Sequence, residues 1–535
     1  MNSSKSIQWL VLSLWIALGF GLLLRLWRIT ANQFLFYDEG MYLGNNRNFL
    51  NLVAANPPKD FNELFIILNL MFHSALGTPK ALWFFLLNLR VFVLGPQAWY
   101  FARLVSLVAG LATIALTYFF SYRYFKSQII GVLSVIFLSL LPSHVFYSRL
   151  GMQESLSTLL FLAALYFYVF FKPLSWKTII CAVLLFCLFQ TNYRMIIAPI
   201  FIGAIEVFEA FKNHEKINWK KMLVCSGVFA ALAFFIGSLF GGINHDITFH
   251  WMFHQAQEAQ GQRSLLNFFS YPYCVFTLEG VVFSLIFWSN IYLAFQKKEI
   301  QSWSKLLPFI LVLLQMGIFS FAAEKGARYL CVVLPFLAMA AAVAAEYFLN
   351  SSLKKYFIVV IIVACVCMSL ESLKIAQSTT NYEKAVRIIV QHDPKAKILA
   401  TQFLVEQLYV PNDKDIKECP KNLADFIQLY KEGYHYLILD PQVYISWTKD
   451  TQRFSPPLID FLEFIHSYAP PLAVLEHFNG VLLKRFVMDH NQNLLQSIKF
   501  LNLPSQEDYR QIRIYDIGQC LELLKQQALQ VSQAQ

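Results

Sequence analysis

Uninterrupted apolar stretches recur through roughly the first 370 residues, near 7–28, 98–121, 129–148, 154–171, 177–193, 195–211, 222–241, 272–295, 305–322, 327–349 and 355–373. A helix rises about 1.5 Å per residue, so about 20 apolar residues cross a hydrocarbon core of about 30 Å. The pattern therefore predicts about eleven spans, the closely spaced fifth and sixth being separated only by Tyr193 and Arg194. Between the first two spans, a segment at 30–97 holds two shorter apolar stretches, 61–75 and 82–94, interrupted by Glu63, His73, Asn88 and Arg90. That mixture suits helices lying at the membrane surface, with a hidden pair of further spans as the alternative.

After Leu373 the pattern shortens and alternates. Helices are expected at 382–391, 423–432 and 458–466, the last after the turn at Pro456-Pro457, and strands at 397–400, 436–439, 473–478 and 481–486. The last two strands are joined by Asn479-Gly480, a hairpin signal between apolar runs. The expected architecture is a polytopic α-helical membrane domain at 1–373 followed by a soluble α/β domain at 374–535, with a frayed Gln-rich tail after Leu524.

Composition agrees with the patterning. Of 535 residues, 57% are hydrophobic and only 14% charged, against about 25% charged in soluble domains. The net charge of +10 does not imply a nucleic-acid partner, because its Lys and Arg residues lie in short loops between apolar runs. Alternate loops carry Arg123 and Lys126, Lys172 to Lys177, Lys212 to Lys221, Lys297 to Lys305, and Lys354-Lys355. Positive residues are retained in the cytoplasm, which places the N-terminus inside and the C-terminal domain outside; a bacterial inner or plasma membrane is the expected location, although the charges do not fix the kingdom. The first run is too long for a signal-peptide core and ends in Arg25 and Arg28 without a small-residue cleavage site, so it reads as a retained anchor. Seven of nine cysteines lie in or beside apolar runs, without metal-ligand spacing. Cys419 and Cys520 lie in the soluble part, where an oxidising compartment would allow them to pair if they are close.

The complementary outer loops are poor in charge, so each charge there needs its own explanation. Asp38 and Glu39 adjoin one another in an aromatic setting after the first span, followed by Tyr42, Asn45, Asn46 and Arg47. The third and fourth spans are joined by Tyr147-Ser148-Arg149, with Glu154 just beyond, and the tenth opens on Glu324-Lys325-Gly326-Ala327-Arg328-Tyr329. Acids and bases thus gather at one level. The bland alternative is that outer Arg and Lys side chains reach lipid headgroups while Glu154 only starts a helix at its positive end.

Arg25-Leu26-Trp27, the Asp38-Glu39 pair with Tyr42, Phe146-Tyr147-Ser148-Arg149 ahead of an acid, and Ala327-Arg328-Tyr329-Leu330 leading into Leu334-Pro335-Phe336 together resemble the GT-C glycosyltransferases. The likeness is to those that use polyprenyl-phosphate-linked sugars, such as protein O-mannosyltransferases and lipid A aminoarabinose transferase. It implies inverting transfer of a lipid-linked sugar to a glycan, lipid or protein acceptor at the outer membrane face. It also implies Asp38 as the base, with Glu39 orienting it, sharing a metal with it, or facing solvent. Lys325 and Arg328 would hold the leaving lipid phosphate, backed by Arg149 or Arg194. Tyr42, Arg47 and Tyr329 are candidate substrate contacts, and Glu154, where many relatives carry Asp, is the candidate second carboxylate.

No cofactor is required by this reading, although it admits a divalent metal, and no Gly-rich phosphate loop occurs. His250 and His254 would share one helical face, a spacing that can bind metal but that arises more often by chance. The competing function is a transporter or a lipid-linked-sugar flippase. Against it, the chain lacks obvious repeated halves, and its candidate charges lie at the interface instead of the bilayer midplane.

Overall fold

The computed structural model describes residues 3–29, 37–71, 80–94, 100–170, 176–213, 216–239, 265–296, 305–322, 325–410, 412–440, 455–476, 479–489, 493–502 and 510–534. Among the described residues the chain is mostly helical and carries one small sheet. It divides into two compact units: 1–29, 45–377 and 484–495 form the first, and 30–44, 378–483 and 496–535 the second. The patterning suggested a single cut after residue 373. Two short segments change sides, 30–44 and 484–495.

In the first unit each apolar stretch is helical, though several are broken. The stretch at 129–148 becomes Gln128–Leu140 and Pro142–Tyr147, because Pro142 supplies no amide to continue the first helix and opens the second. The stretch at 272–295 consists of Ser270–Glu279, Val281–Trp288 and Asn290–Gln296. The fifth and sixth segments are separate helices, Trp176–Thr191 and Ala198–Asn213, joined by a 3-10 turn at Tyr193–Ile197 whose entry Asn192 caps. Among the described residues, Phe101–Phe125, Ala327–Leu349 and the stretch opening at Lys354 are long and apolar enough to cross a membrane unbroken. The helix Leu334–Leu349 runs through the middle of the unit, and its alanine-rich centre, Ala340 to Ala345, is buried on every side. Small side chains there let neighbouring helices approach closely where no hydrophobic effect drives them together.

Both short stretches of the 30–97 segment are helical, as Phe61–Leu70 and Ala81–Leu94. The second buries Trp83, Phe84 and Leu87, and it packs against Trp176–Thr191.

The second unit holds a five-stranded sheet: β1 (Lys397–Ala400), β2 (Ile416–Glu418), β3 (Tyr434–Leu439), β4 (Ala473–Glu476) and β5 (Gln511–Asp516). The order is β2-β1-β3-β5-β4, with β1 parallel to both β2 and β3, and β5 antiparallel to both of its neighbours. Helices Leu423–Lys431 and Pro456–Tyr468 contribute Phe426, Phe461 and Leu462 to its main core, where Leu437 and Tyr515 also lie.

Two expectations need correction, and the open question of the Cys419 and Cys520 thiols is answered. The stretch after Asn479-Gly480 is the helix Gly480–Asp489, not a hairpin strand. Asn479 Oδ1 accepts the amide of Leu482 at 2.9 Å, capping the helix, and the buried Leu482, Leu483, Phe486 and Val487 follow its period. The Gln-rich tail continues the helix Ile517–Ala534. Cys419 and Cys520 are both buried in the main core as free thiols.

At the carboxyl ends of β1 and β3 the second unit buries two acids, Glu406 and Asp440, neither of which is exposed at all. Asp440 is an electrostatic neighbour of Tyr382, and its amide donates to Thr401 Oγ1 at 2.8 Å. Burial first, and then the neighbouring Asp440, hold the Glu406 carboxyl well above the usual carboxylate range. A raised folded-state value means that the native protein keeps a proton which the unfolded chain has already lost. Stability from this group is therefore fully present below the unfolded value and is lost as pH rises through the folded one. Glu406→Gln is expected to raise the unfolding temperature of the full-length protein by several degrees at pH 8, with the gain shrinking toward pH 5. Scanning fluorimetry across that range checks it, and a gain that grows on acidification would be the wrong sign.

Candidate functional site

The 3-10 helix Ala327–Val333 carries Arg328, and Lys325 lies two residues before its start. Gln315 Nε2 donates to Tyr329 O at 2.6 Å, and the Tyr329 ring lies 5.1 Å from that of Phe319. Onto the Tyr329 ring converge two guanidinium groups, with Arg194 Cζ at 4.5 Å and Arg328 Cζ at 6.0 Å from its centroid. The aromatic face attracts each cation, while the two cations repel one another. Two guanidinium groups beside one ring are a donor set that suits an anion with several oxygens, such as a phosphate. Lys325 is buried and donates from Nζ to Ala322 O at 2.8 Å, and removal from water lowers its pKa. Arg328, Arg194, Tyr329 and Lys325 thus belong to one region of the first unit.

Next to them lie residues that the sequence reading did not identify. Asp489, fully buried, accepts the Tyr147 hydroxyl at 3.0 Å and 2.9 Å through its two oxygens, and it accepts the Arg328 amide at 2.7 Å. One turn earlier on the same helix, Arg485 donates to Ser143 Oγ at 3.0 Å and lies 4.9 Å from the centre of the Phe146 ring. Glu279 accepts the Ser143 amide at 3.1 Å and also the Ser143 hydroxyl. A strand over 481–486 ends before Asp489 and gives it no common face with Arg485, whereas the helix Gly480–Asp489 does. Read as a helix, residues four apart fall on one face.

Glu154 is buried at the start of the helix Glu154–Phe170, with Gln153 Nε2 donating to it at 3.1 Å. Thr158 ties that helix to the 3-10 segment, its hydroxyl lying 2.8 Å from Glu154 O and 3.0 Å from Cys331 O. A small cavity with room for about one water molecule is lined in part by Ser143, Cys274, Glu279, Leu330 and Cys331.

Arg149 bonds elsewhere. It donates to Leu24 O at 2.6 Å and Arg25 O at 3.1 Å through Nη1, and to Ala376 O at 3.2 Å through Nη2. Those carbonyls lie at the C-terminal ends of Ser3–Leu26 and Lys354–Gln377, where the last turns lack intrahelical partners and carry partial negative charge. Arg25 is likewise buried and donates to Gly21 O at 2.7 Å and Ser139 O at 2.8 Å, with its Nη2 2.7 Å from His144 Nδ1. Both arginines hold helices together.

Asp38, Glu39 and Tyr42 open the helix Tyr37–Ala55 and belong to the second unit, where Asp38 is half-buried while Glu39 and Tyr42 are buried. Gly40 is the point of contact. A Cβ there would press on Leu404 O and lie 2.8 Å from both Leu404 C and Val405 Cα, rigid backbone that cannot give way. The acid-bearing turn is therefore seated on the helical turn Phe403–Glu406. Arg47, further along the helix, is half-buried and counts with the first unit. His250 and His254, with Glu324, lie outside the described residues. Among the described residues no group of three or more His, Cys, Asp or Glu is placed to hold a metal.

No family model matches this sequence, and no curated protein does. Solved structures do match. ArnT from Cupriavidus metallidurans bound to undecaprenyl phosphate superposes with a TM-score of 0.53 at 15% identity, over 87% of this chain and 92% of that one. The apo oligosaccharyltransferase of Archaeoglobus fulgidus superposes with a TM-score of 0.51 at 10% identity, over 82% of this chain and 70% of that one. Both are GT-C glycosyltransferases. At such identities the likeness is one of fold, and the fold of this chain is GT-C-like.

Proposed function

We propose that this protein is an integral membrane inverting glycosyltransferase that moves a sugar from a polyprenyl-phosphate donor to an acceptor at the outer face of a bacterial inner membrane. The observation that carries the reading is the convergence of Arg194 and Arg328 on Tyr329 in a chain of GT-C-like fold. A lipid-borne sugar leaves behind a phosphate at the membrane interface, and fixed cations stabilise the charge developing there. On this reading about eleven spans carry the site, the N-terminus is cytoplasmic and the C-terminal unit is extracytoplasmic.

The step balances simply. The acceptor hydroxyl gives its proton to the Asp38 carboxylate as its oxygen bonds to the anomeric carbon from the face opposite the phosphate. The bond between anomeric carbon and phosphate oxygen breaks, and its electron pair leaves with the polyprenyl phosphate, held by Arg328, Lys325 and Arg194. Tyr42, Arg47 and Tyr329 contact substrate, and Glu154 is the second carboxylate. Arg149, with its bonds to two helix ends, supports this machinery as framework. The chemistry needs no cofactor, and Glu39 beside Asp38 leaves room for a divalent metal.

The test is transfer in vitro by the purified full-length protein, using radiolabelled undecaprenyl-phosphate pentoses and hexoses with lipid, glycan and peptide acceptors. Donor turnover with formation of a labelled product is expected for at least one pair. Lack of turnover across the panel, together with donor translocation in proteoliposomes, would assign the chain to transport instead.

A further inference from the structure

The geometry points to Asp489 as the positioning residue for the loop that presents Lys325 and Arg328, an assignment that rests on the reading of those two as the donor-phosphate site. A carboxylate buried in an apolar bundle is costly unless hydrogen bonds satisfy it. Here the donors are the Tyr147 hydroxyl and the main-chain amide of Arg328 itself. Asp489 therefore fixes the backbone from which the Arg328 side chain springs. Its own carbonyl closes the other side of the same loop, since a Cβ on Gly326 would lie 2.8 Å from Asp489 O. No larger residue fits at 326 without moving the loop off the helix.

The helix bearing Asp489 is itself anchored. Arg485 donates to Ser143 Oγ at 3.0 Å and to Leu278 O at 3.4 Å, Leu483 and Val487 are fully buried, and Met488 Sδ lies 3.7 Å from Cys274 Sγ. A segment distant in sequence thus re-enters the first unit and holds the basic loop in place. It touches the loop's backbone at the Arg328 amide and against Gly326, and the part assigned to it is placement.

The experiment uses the full-length protein in detergent and two readouts. Trypsin cuts after Lys and Arg, and in the wild type the buried Lys325 is protected. Asp489→Ala is expected to open cleavage after Lys325 and Arg328, whereas Asp489→Asn, whose Oδ1 still accepts the Arg328 amide, stays protected. Binding of undecaprenyl phosphate is expected to weaken at least about tenfold in Asp489→Ala and less than about twofold in Asp489→Asn. The double variant Asp489→Ala/Arg328→Ala should lose less than the product of the two single losses, because the part of the loss that passes through Arg328 is shared.

An Asp489→Ala protein as trypsin-resistant as the wild type, or losses that multiply in the double variant, would overturn the assignment. If Asp489→Ala does not fold, Tyr147→Phe carries the test: it removes the hydroxyl that steadies the carboxylate, and partial cleavage at the same sites, beyond that of the wild type, is expected, with no increase counting against the proposal. Should Arg328→Ala bind the lipid as well as the wild type, the phosphate reading fails, and the cleavage pattern still decides the placement.

Discussion

Asp38→Asn is expected to lower the turnover number for sugar transfer by about 10²- to 10⁴-fold, the range that a positioned general base supplies. The amide has the size of the carboxylate but takes no proton at neutral pH, so the acceptor hydroxyl must attack while still protonated. Half-burial on the first turn of a helix makes the substitution a mild one for the fold, costing about 0.3–1 kcal/mol for the lost charge at the helix N-terminus. Donor affinity should stay within about twofold, since the phosphate is assigned to other residues. Single-turnover transfer from a labelled donor separates the two quantities. A variant that transfers at the wild-type rate removes Asp38 from the mechanism and leaves Glu39 as the next acid to test.

Arg328→Ala should cost about 10²- to 10³-fold in turnover, the scale seen when one group facing developing charge is removed, and it should raise the donor KM as well. Phosphate is bound in the ground state and becomes more negative as the sugar departs, so both quantities respond. Arg328→Lys is expected to recover only part of the loss, because an ammonium offers neither the planar fork nor the same stacking on Tyr329. Lys325 adds a pH dependence. Its pKa is lowered by burial, so its charge is lost at a lower pH than that of an exposed lysine, and donor affinity should fall first on the alkaline side. Lys325→Arg should move that fall to higher pH. A donor KM independent of both residues would place the leaving group elsewhere.

Much of the helical framework was legible because apolar length is a local property. Each apolar stretch named from the sequence contains a helix among its described residues, including the closely spaced pair around Arg194. In the soluble part, helices at Tyr382–His392, Leu423–Lys431 and Pro456–Tyr468 and strands β1, β3 and β4 follow their patterns. The missed strands, β2 and β5, are less obvious: one has three residues with two exposed, and the other interleaves Gln511, Arg513 and Asp516 with its buried positions. The misread segment, Gly480–Asp489, starts with a dipeptide that serves a hairpin turn and a helix cap equally well. Only the surface that receives its Leu483 and Val487 separates the two.

Charges were the other divide. The sequence by itself determined which polar residues needed explaining, since an Arg or an acid beside a membrane span is costly wherever it falls. It could not sort them by partner, because partners are set by contacts between residues far apart in the chain. Tertiary structure gave Arg149 and Arg25 to the carbonyls at helix ends, stacked Arg194 on Tyr329, and brought Asp489 from near residue 490 to the amide of Arg328. Hydrophobic period is written into every turn of a helix, whereas a buried hydrogen bond exists only once two distant segments have met.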